Sequence, residues 1–282
     1  MKRLKENAFG LLLTAALLAC TFAFAPKASA SCGLDYCPIR IKDDSKRPLL
    51  QLRLVPRLSS FTNGEVEGHF VENILRFEFL AIDKWRFGAW VAPIYLKTED
   101  IETTGLSNPV LFAERVLYNP GSFQLRGALQ AELPLGSSSD GLASSHSELL
   151  PYVSLSTSIG RLQIHGQAGV AIGLEGGSHG HEGEEDPHGE DSDLLVNPHA
   201  AQEVLSRLAI MGHVWHGLVS PGVHLNGRHS IQGSSINDVL SVNGVALVNL
   251  SKHISLIAQF EVPVNENPRF NWRTGFGIDL KL

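Results

Sequence analysis

Aromatic residues, charge and cysteine are all scarce in this chain. Phe, Trp and Tyr make up 7% of its 282 residues, Asp, Glu, Lys and Arg 18%, and there are three cysteines. A formal net charge of -6 supplies none of the clustered basic surface that nucleic acid requires, so no nucleic-acid partner is expected. No specific setting for a nucleophile is present: the string Gly176-Gly177-Ser178-His179-Gly180 falls in a His- and acid-rich stretch with no strand-to-helix pattern around it, and His146 beside Ser145 and Ser147 sits in a Ser- and Gly-rich loop. The chain is therefore not expected to be an enzyme. A barrel that modifies lipid acyl chains remains the enzymatic alternative.

What the chain does contain begins with an export signal. Lys2, Arg3 and Lys5 precede an apolar run from Phe9 to Ala25, and Ala28-Ser29-Ala30 offers a cleavage site. About 17 apolar residues is at the short limit for a membrane-spanning helix, so residues 1–30 are expected to be removed. Cys20, in Leu17-Leu18-Ala19-Cys20, loosely resembles a lipoprotein processing site, but the apolar run continues past it. After cleavage Cys32 and Cys37 remain in a charged lead-in, residues 31–47. In an oxidising compartment a local disulfide is expected, and two thiolates holding Cu(I) or Zn is the alternative.

From residue 48 onward the governing pattern has a period of two. Phe123, Leu125, Leu129, Ala131 and Leu133 alternate with Gln124, Arg126, Gln130 and Glu132; Val153 and Leu155 with Ser154 and Ser156; Leu162 and Ile164 with Gln163 and His165. Such alternation sends one set of side chains to each face of a sheet. The same reading finds strands from Leu49 to Ser59, around Leu75 to Phe79, from Trp85 to Leu96 and from Val110 to Leu117. Others are expected around Leu208 to Val214, Val223 to Arg228, Val239 to Asn249, Ile254 to Val264 and Trp272 to Leu282. Turns are expected at Asn119-Pro120-Gly121 and Ser220-Pro221-Gly222, and longer connections at Ser60 to Gly68, Lys97 to Asn108 and Gly136 to Ser147.

The sum is about twelve strands whose connections alternate long and short. Even strand number, short turns at one end and long loops at the other describe an outer-membrane barrel, and the strands match the roughly 9–11 residues needed to cross the hydrocarbon. Alternation alone does not say which face looks outward, because a soluble barrel or sandwich would show the same pattern. The loop rhythm, the export signal and a last strand that runs to Leu282 favour the membrane. The expectation is an all-β, antiparallel up-and-down transmembrane β-barrel over residues 48–282, in the bacterial outer membrane. Its partners would be outer-membrane lipid, the barrel assembly machinery and a small-molecule solute.

Several segments resemble a known family. Glu132-Leu133-Pro134-Leu135-Gly136, Glu148-Leu149-Leu150-Pro151-Tyr152-Val153-Ser154-Leu155-Ser156, His165-Gly166-Gln167-Ala168-Gly169-Val170 and Phe260-Glu261-Val262-Pro263-Val264 are similar to segments of proteobacterial outer-membrane barrels. These barrels are the channel-like family associated with the meta-pathway of phenol degradation. The likeness spans most of residues 100–282. It implies passive passage of small, often hydrophobic compounds. The last strand also resembles the terminal signal that outer-membrane assembly machinery reads, which often ends in Phe where this chain has Leu282.

The polar strand faces are expected to line a lumen: Arg53, Arg76, Glu78, Arg126, Gln130, Glu132, Gln163, His165, Gln167, Gln259, Glu261, Arg273, Asp279 and Lys281. Charges of both signs suit either a solute pathway or a lumen plugged by compensating pairs, since twelve strands fall between a filled eight-stranded barrel and an open sixteen-stranded channel. A barrel that only displays its loops is the non-conducting alternative. The remaining candidate is the stretch 176–203, where His179, His181, His188 and His199 lie among Glu182, Glu184, Glu185, Asp186, Glu190, Asp191 and Asp193. Imidazoles at this density suit Zn or Cu, held weakly and in a pH-dependent way. No other cofactor is called for.

Overall fold

The computed structural model describes residues 49–63, 66–80, 84–137, 142–144, 146–174, 202–231, 239–265 and 270–282. Nearly all of them lie in one antiparallel sheet of fourteen hydrogen-bonded segments that closes on itself. Two pairs of segments are single strands broken at one point, so the closed barrel has twelve strands. They are β1 (Leu49–Asn63), β2 (Val66–Leu80), β3 (Trp85–Val91, continued by Pro93–Thr98), β4 (Glu102–Leu106, continued by Val110–Tyr118), β5 (Phe123–Glu132) and β6 (Ser147–Ile159). They continue as β7 (Leu162–Leu174), β8 (Gln202–Gly212), β9 (Val219–Ser230), β10 (Val239–Asn249), β11 (Ile254–Pro263) and β12 (Trp272–Lys281). β12 pairs with β1 from Lys281↔Gln51 to Trp272↔Ser60, which closes the barrel and leaves no sheet edge.

The two faces of the sheet settle what alternation left open. Along β1, Gln51, Arg53, Arg57 and Ser59 are buried, whereas Leu50, Leu54 and Leu58 are exposed. On β2, Glu72, Arg76 and Glu78 are buried while Phe77 and Phe79 are exposed. Phe260 and Phe276 present 53% and 67% of their surface to the outside, yet Asp279 on the same strand as Phe276 presents 0%. A soluble barrel would reverse this polarity. An apolar outer belt around a polar interior is the signature of a transmembrane barrel.

The breaks in β3 and β4 occur side by side. Trp90 pairs with Val110 and Pro93 with Leu106, so residues 107–109 oppose only Val91 and Ala92. This is a bulge on β4, and it falls where Pro93 and Pro109 cannot donate to the ladder. Ser107 repairs the gap: its N–H donates to the Ala92 carbonyl at 2.8 Å and its Oγ accepts from the Ala92 N–H at 2.8 Å.

Three connections differ from the sequence reading. The polar connection expected from Ser60 to Gly68 is instead strand, because β1 and β2 stay paired out to Asn63↔Val66. Phe61 and Phe70 at that end pack inward with Ile94 and Leu96. The acidic connection expected from Lys97 to Asn108 is shortened to a tight turn, with Thr98 N–H donating to the Ile101 carbonyl at 2.8 Å, and Glu102–Leu106 pair with β3. Ser220-Pro221-Gly222 is not a turn but part of β9. The turn lies earlier, around a short 3-10 helix at Trp215–Gly217. Gly222 is needed within the strand, since a Cβ there would stand 2.7 Å from Met211 Cγ.

Candidate functional site

The interior is built by every second residue of each strand, so its chemistry follows from register. Near the end where the strands join by short turns, a ladder of charge crosses four neighbouring strands. Arg76 on β2 pairs with Glu78 at 2.7 Å; Glu78 reaches Arg86 on β3 at 3.2 Å; Arg86 reaches Glu114 on β4 at 2.8 Å; Glu114 reaches Arg126 on β5 at 2.9 Å. Arg126 also donates to Gln124. All five charged side chains are almost fully buried, and each contacts an opposite charge, which is what buried charges require. Phe112 lies among them with the guanidinium of Arg76 4.7 Å and that of Arg86 5.4 Å from its ring centre. Gly88 makes room for that ring, because a Cβ there would come within 2.4 Å of it. Farther round, Gln51 donates to Asp279 at 2.7 Å and Arg53 stands 3.5 Å from the same carboxylate.

The opposite wall of this half is apolar. Ala209, Met211, Val245, Leu247 and Ile257 are buried in one cluster with Val55, Ile74 and Ala92. Gly277 has no side chain to separate Val55 from its neighbours, and a Cβ there would meet Val55 Cγ2 at 2.7 Å. Side chains thus fill the interior near the short turns.

Toward the long loops the interior opens into a cavity of about 190 Å³. Its wall carries Arg57, Glu72, Glu132, Glu148, Arg207, Asn226, Arg228, Glu261 and Arg273, the amides Gln167, Asn243 and Gln259, and the aromatic rings of Trp90 and Phe270. Most of these charges already engage the wall. Arg57 donates to Glu72 at 2.7 Å, Arg207 to Asn226 at 2.7 Å, Asn226 to Glu261 at 2.9 Å and Ser241 to Glu261 at 2.5 Å. The Arg273 guanidinium lies 3.8 Å from the Phe270 ring centre.

One loop folds inward to narrow this cavity. Leu142, Ala143 and Ser144, between β5 and β6, are all buried, and Leu142 joins Phe61, Phe70, Ile94 and Leu96. Asn108 holds the loop: its Nδ2 donates toward Ser144 O at 2.9 Å, Ser144 Oγ at 2.8 Å and Glu132 Oε1 at 3.0 Å, and its Oδ1 accepts from Gly136 N–H at 2.9 Å. The expected polar Ser- and Gly-rich connection is therefore partly an interior element.

Of the fourteen residues expected to line the lumen, Arg53, Arg76, Glu78, Arg126, Gln130, Glu132, Gln163, His165, Gln167, Gln259, Glu261, Arg273 and Asp279 lie in the buried interior or in the cavity wall, whereas Lys281 is only half-buried and outside that wall. Sequence reasoning passed over Arg57, Glu72, Arg86 and Glu114, which alternation carried along the same strands would have found. Asn108 and Leu142 carry no periodic signal. His179, His181, His188, His199, Cys32 and Cys37 lie outside the described residues. Among the described residues no group of three or more His, Cys, Asp or Glu is placed to hold a metal ion.

Polar interior, apolar belt and closed sheet together define a transmembrane β-barrel of the bacterial outer-membrane type. Solved structures agree on the fold. An outer membrane channel from Pseudomonas putida F1 superposes with a TM-score of 0.59 at 9% identity, covering 86% of this chain and 100% of its own. The KdgM porin gives 0.52 at 10% identity over 82% of this chain and 98% of its own, and the NanC porin 0.50 at 12% over 83% and 100%. Neither a protein-family model nor a curated protein matches the sequence. At these identities the likeness is one of fold.

Proposed function

We propose that this chain is an outer-membrane channel for the passive passage of small solutes. The observation that carries this reading is the cavity of about 190 Å³ with a mixed-charge, amide-rich wall, set in the barrel interior above a side-chain-filled half. A volume below the roughly 300–1,000 Å³ of drug-sized sites suits a small solute. In this reading residues 1–30 direct export, residues 31–47 lie on the periplasmic side, the short turns face the periplasm, and barrel assembly machinery inserts the chain. The resemblance to the phenol-degradation family would make the solute small and apolar, whereas this polar wall favours one that forms hydrogen bonds.

Planar-bilayer recording of the refolded protein lacking residues 1–30 tests the reading. Discrete conductance steps, small because the inner half is filled, are the expected result. Silent bilayers, with the barrel shown folded by heat-modifiable gel mobility, would replace the channel with a barrel that displays its loops. The packed inner half is the observation that favours this second reading.

An enzymatic role has little to build on. His213 and Ser220 meet at 2.8 Å through Nδ1 and Oγ, but both are buried, and His213 Nε2 has no hydrogen-bond partner among the described residues. Among the described residues no third group therefore orients the ring as a base. The His/acid stretch is proposed, on sequence alone, to take up Zn or Cu. Replacing His179, His181, His188 and His199 together with Ala is expected to abolish uptake in calorimetric titration, and unchanged binding would remove metal handling from the proposal.

A further inference from the structure

One wall of the interior gathers uncharged polar groups on three neighbouring strands. Gln130 Nε2 on β5, Ser154 Oγ on β6, and Gln163 Oε1, His165 Nδ1 and Nε2, and Gln167 Oε1 on β7 are buried atoms with no hydrogen-bond partner among the described residues. His165 is 1% exposed and Gln163 and Ser154 2% each, so their surroundings supply no solvent. Interior polar groups are almost always paired, and leaving them dry destabilises the closed arrangement relative to one in which water or a hydroxyl reaches them. Register places the β7 groups and Ser154 in a line. Gln163 follows the turn at Gly160, His165 comes two residues later beside Ser156, and Gln167, opposite Ser154, stands in the cavity wall. The charged ladder is locked by its own pairs, and Val245, Leu247 and Ile257 offer nothing polar.

We propose that this wall is the permeation track. Water and small uncharged solutes that both donate and accept hydrogen bonds, polyols and amides of the size of glycerol and urea, leave the cavity at Gln167 and pass His165 and Gln163 in turn. Amide and imidazole groups exchange partners with such a solute at each step. An ion must shed hydration beside the apolar wall, so ionic current is the small part that follows water. The inference rests on the channel reading and adds to it the route and the solute class.

Single cysteines at Gln163, His165 or Gln167, and at Val245 or Leu247 for comparison, are placed in a parent whose Cys20, Cys32 and Cys37 are Ala. The proteins are purified folded from the outer membrane and exposed to methyl methanethiosulfonate, a small uncharged thiol reagent. The track predicts modification at the three β7 positions at least tenfold faster than at Val245→Cys or Leu247→Cys, with a fall in bilayer step size on modification. Equal rates on both walls, or steps indifferent to β7 modification while the parent conducts, would overturn the track and leave the channel. A parent without steps would overturn both. Should a His165 variant fail to fold, Gln163→Leu is the second measurement: glycerol-driven liposome swelling slows at least fivefold if the track is right and is unchanged if it is wrong.

Discussion

Arg86→Ala is expected to destabilise the barrel by about 3 kcal/mol, read as a lower urea midpoint for loss of the heat-modifiable folded band. Removing one partner of a buried ion pair typically costs about 3–5 kcal/mol, because the remaining charge is left buried. Arg86 serves two carboxylates, Glu78 at 3.2 Å and Glu114 at 2.8 Å. Each retains another guanidinium, Arg76 at 2.7 Å and Arg126 at 2.9 Å, which puts the expected effect at the low end. Arg86→Lys should recover only part of the loss, since a compact ammonium does not reproduce the planar fork that reaches both carboxylates. Adding Glu114→Gln to Arg86→Ala should cost less than the two single effects together, because the second change removes a charge the first has stranded. Strict additivity would mean that the ladder is a set of independent contacts.

Asn108→Ala should act on passage more than on global stability. The Nδ2 group has two hydrogens, so two of its three contacts hold at once, and with Oδ1 to Gly136 N–H the residue supplies three hydrogen bonds. At about 0.5–1.5 kcal/mol net each, their loss favours release of the inward loop by about 2–4 kcal/mol, roughly 30- to 1,000-fold in its population. Burial of Leu142, at about 1.5–3 kcal/mol, resists that release. The single variant is therefore expected to conduct in larger steps intermittently, and the Asn108→Ala/Leu142→Ser variant steadily. The urea midpoint should move little, because the loop lets go without separating any strand pair. Unaltered steps in the folded double variant would mean that the loop does not limit passage.

The strands were legible where one face meets hydrocarbon and the other the interior. There, Leu50, Leu54 and Leu58 must be apolar while Arg53 and Arg57 are free to be charged. Where β1, β2, β3 and β4 extend beyond the apolar belt, the outward face no longer selects apolar residues. Ser60, Thr62, Glu67, Glu102 and Thr104 then read as loop although the backbone ladder continues. Pro221 and Gly222 carry turn signals for a different reason: proline's missing donor is tolerated at that place in β9, and the glycine yields space to Met211 and Val245.

The candidate site was legible in its parts and not in its assembly. Charges on alternating positions pointed inward as a set, but which carboxylate meets which guanidinium depends on registers between strands, and these leave no local mark. Asn108 and Leu142 were out of reach because a lone amide and a lone leucine among Ser and Gly show no period.

Osmotic swelling of liposomes containing the purified barrel tests the central claim most directly, with neutral solutes graded from glycerol through a pentose to a disaccharide. Rapid entry of glycerol, slower entry of the pentose and none of the disaccharide is expected, since the cavity holds only about 190 Å³ and the way below it is lined by side chains. No swelling with glycerol, from protein whose gel mobility shows the folded barrel, would contradict the account.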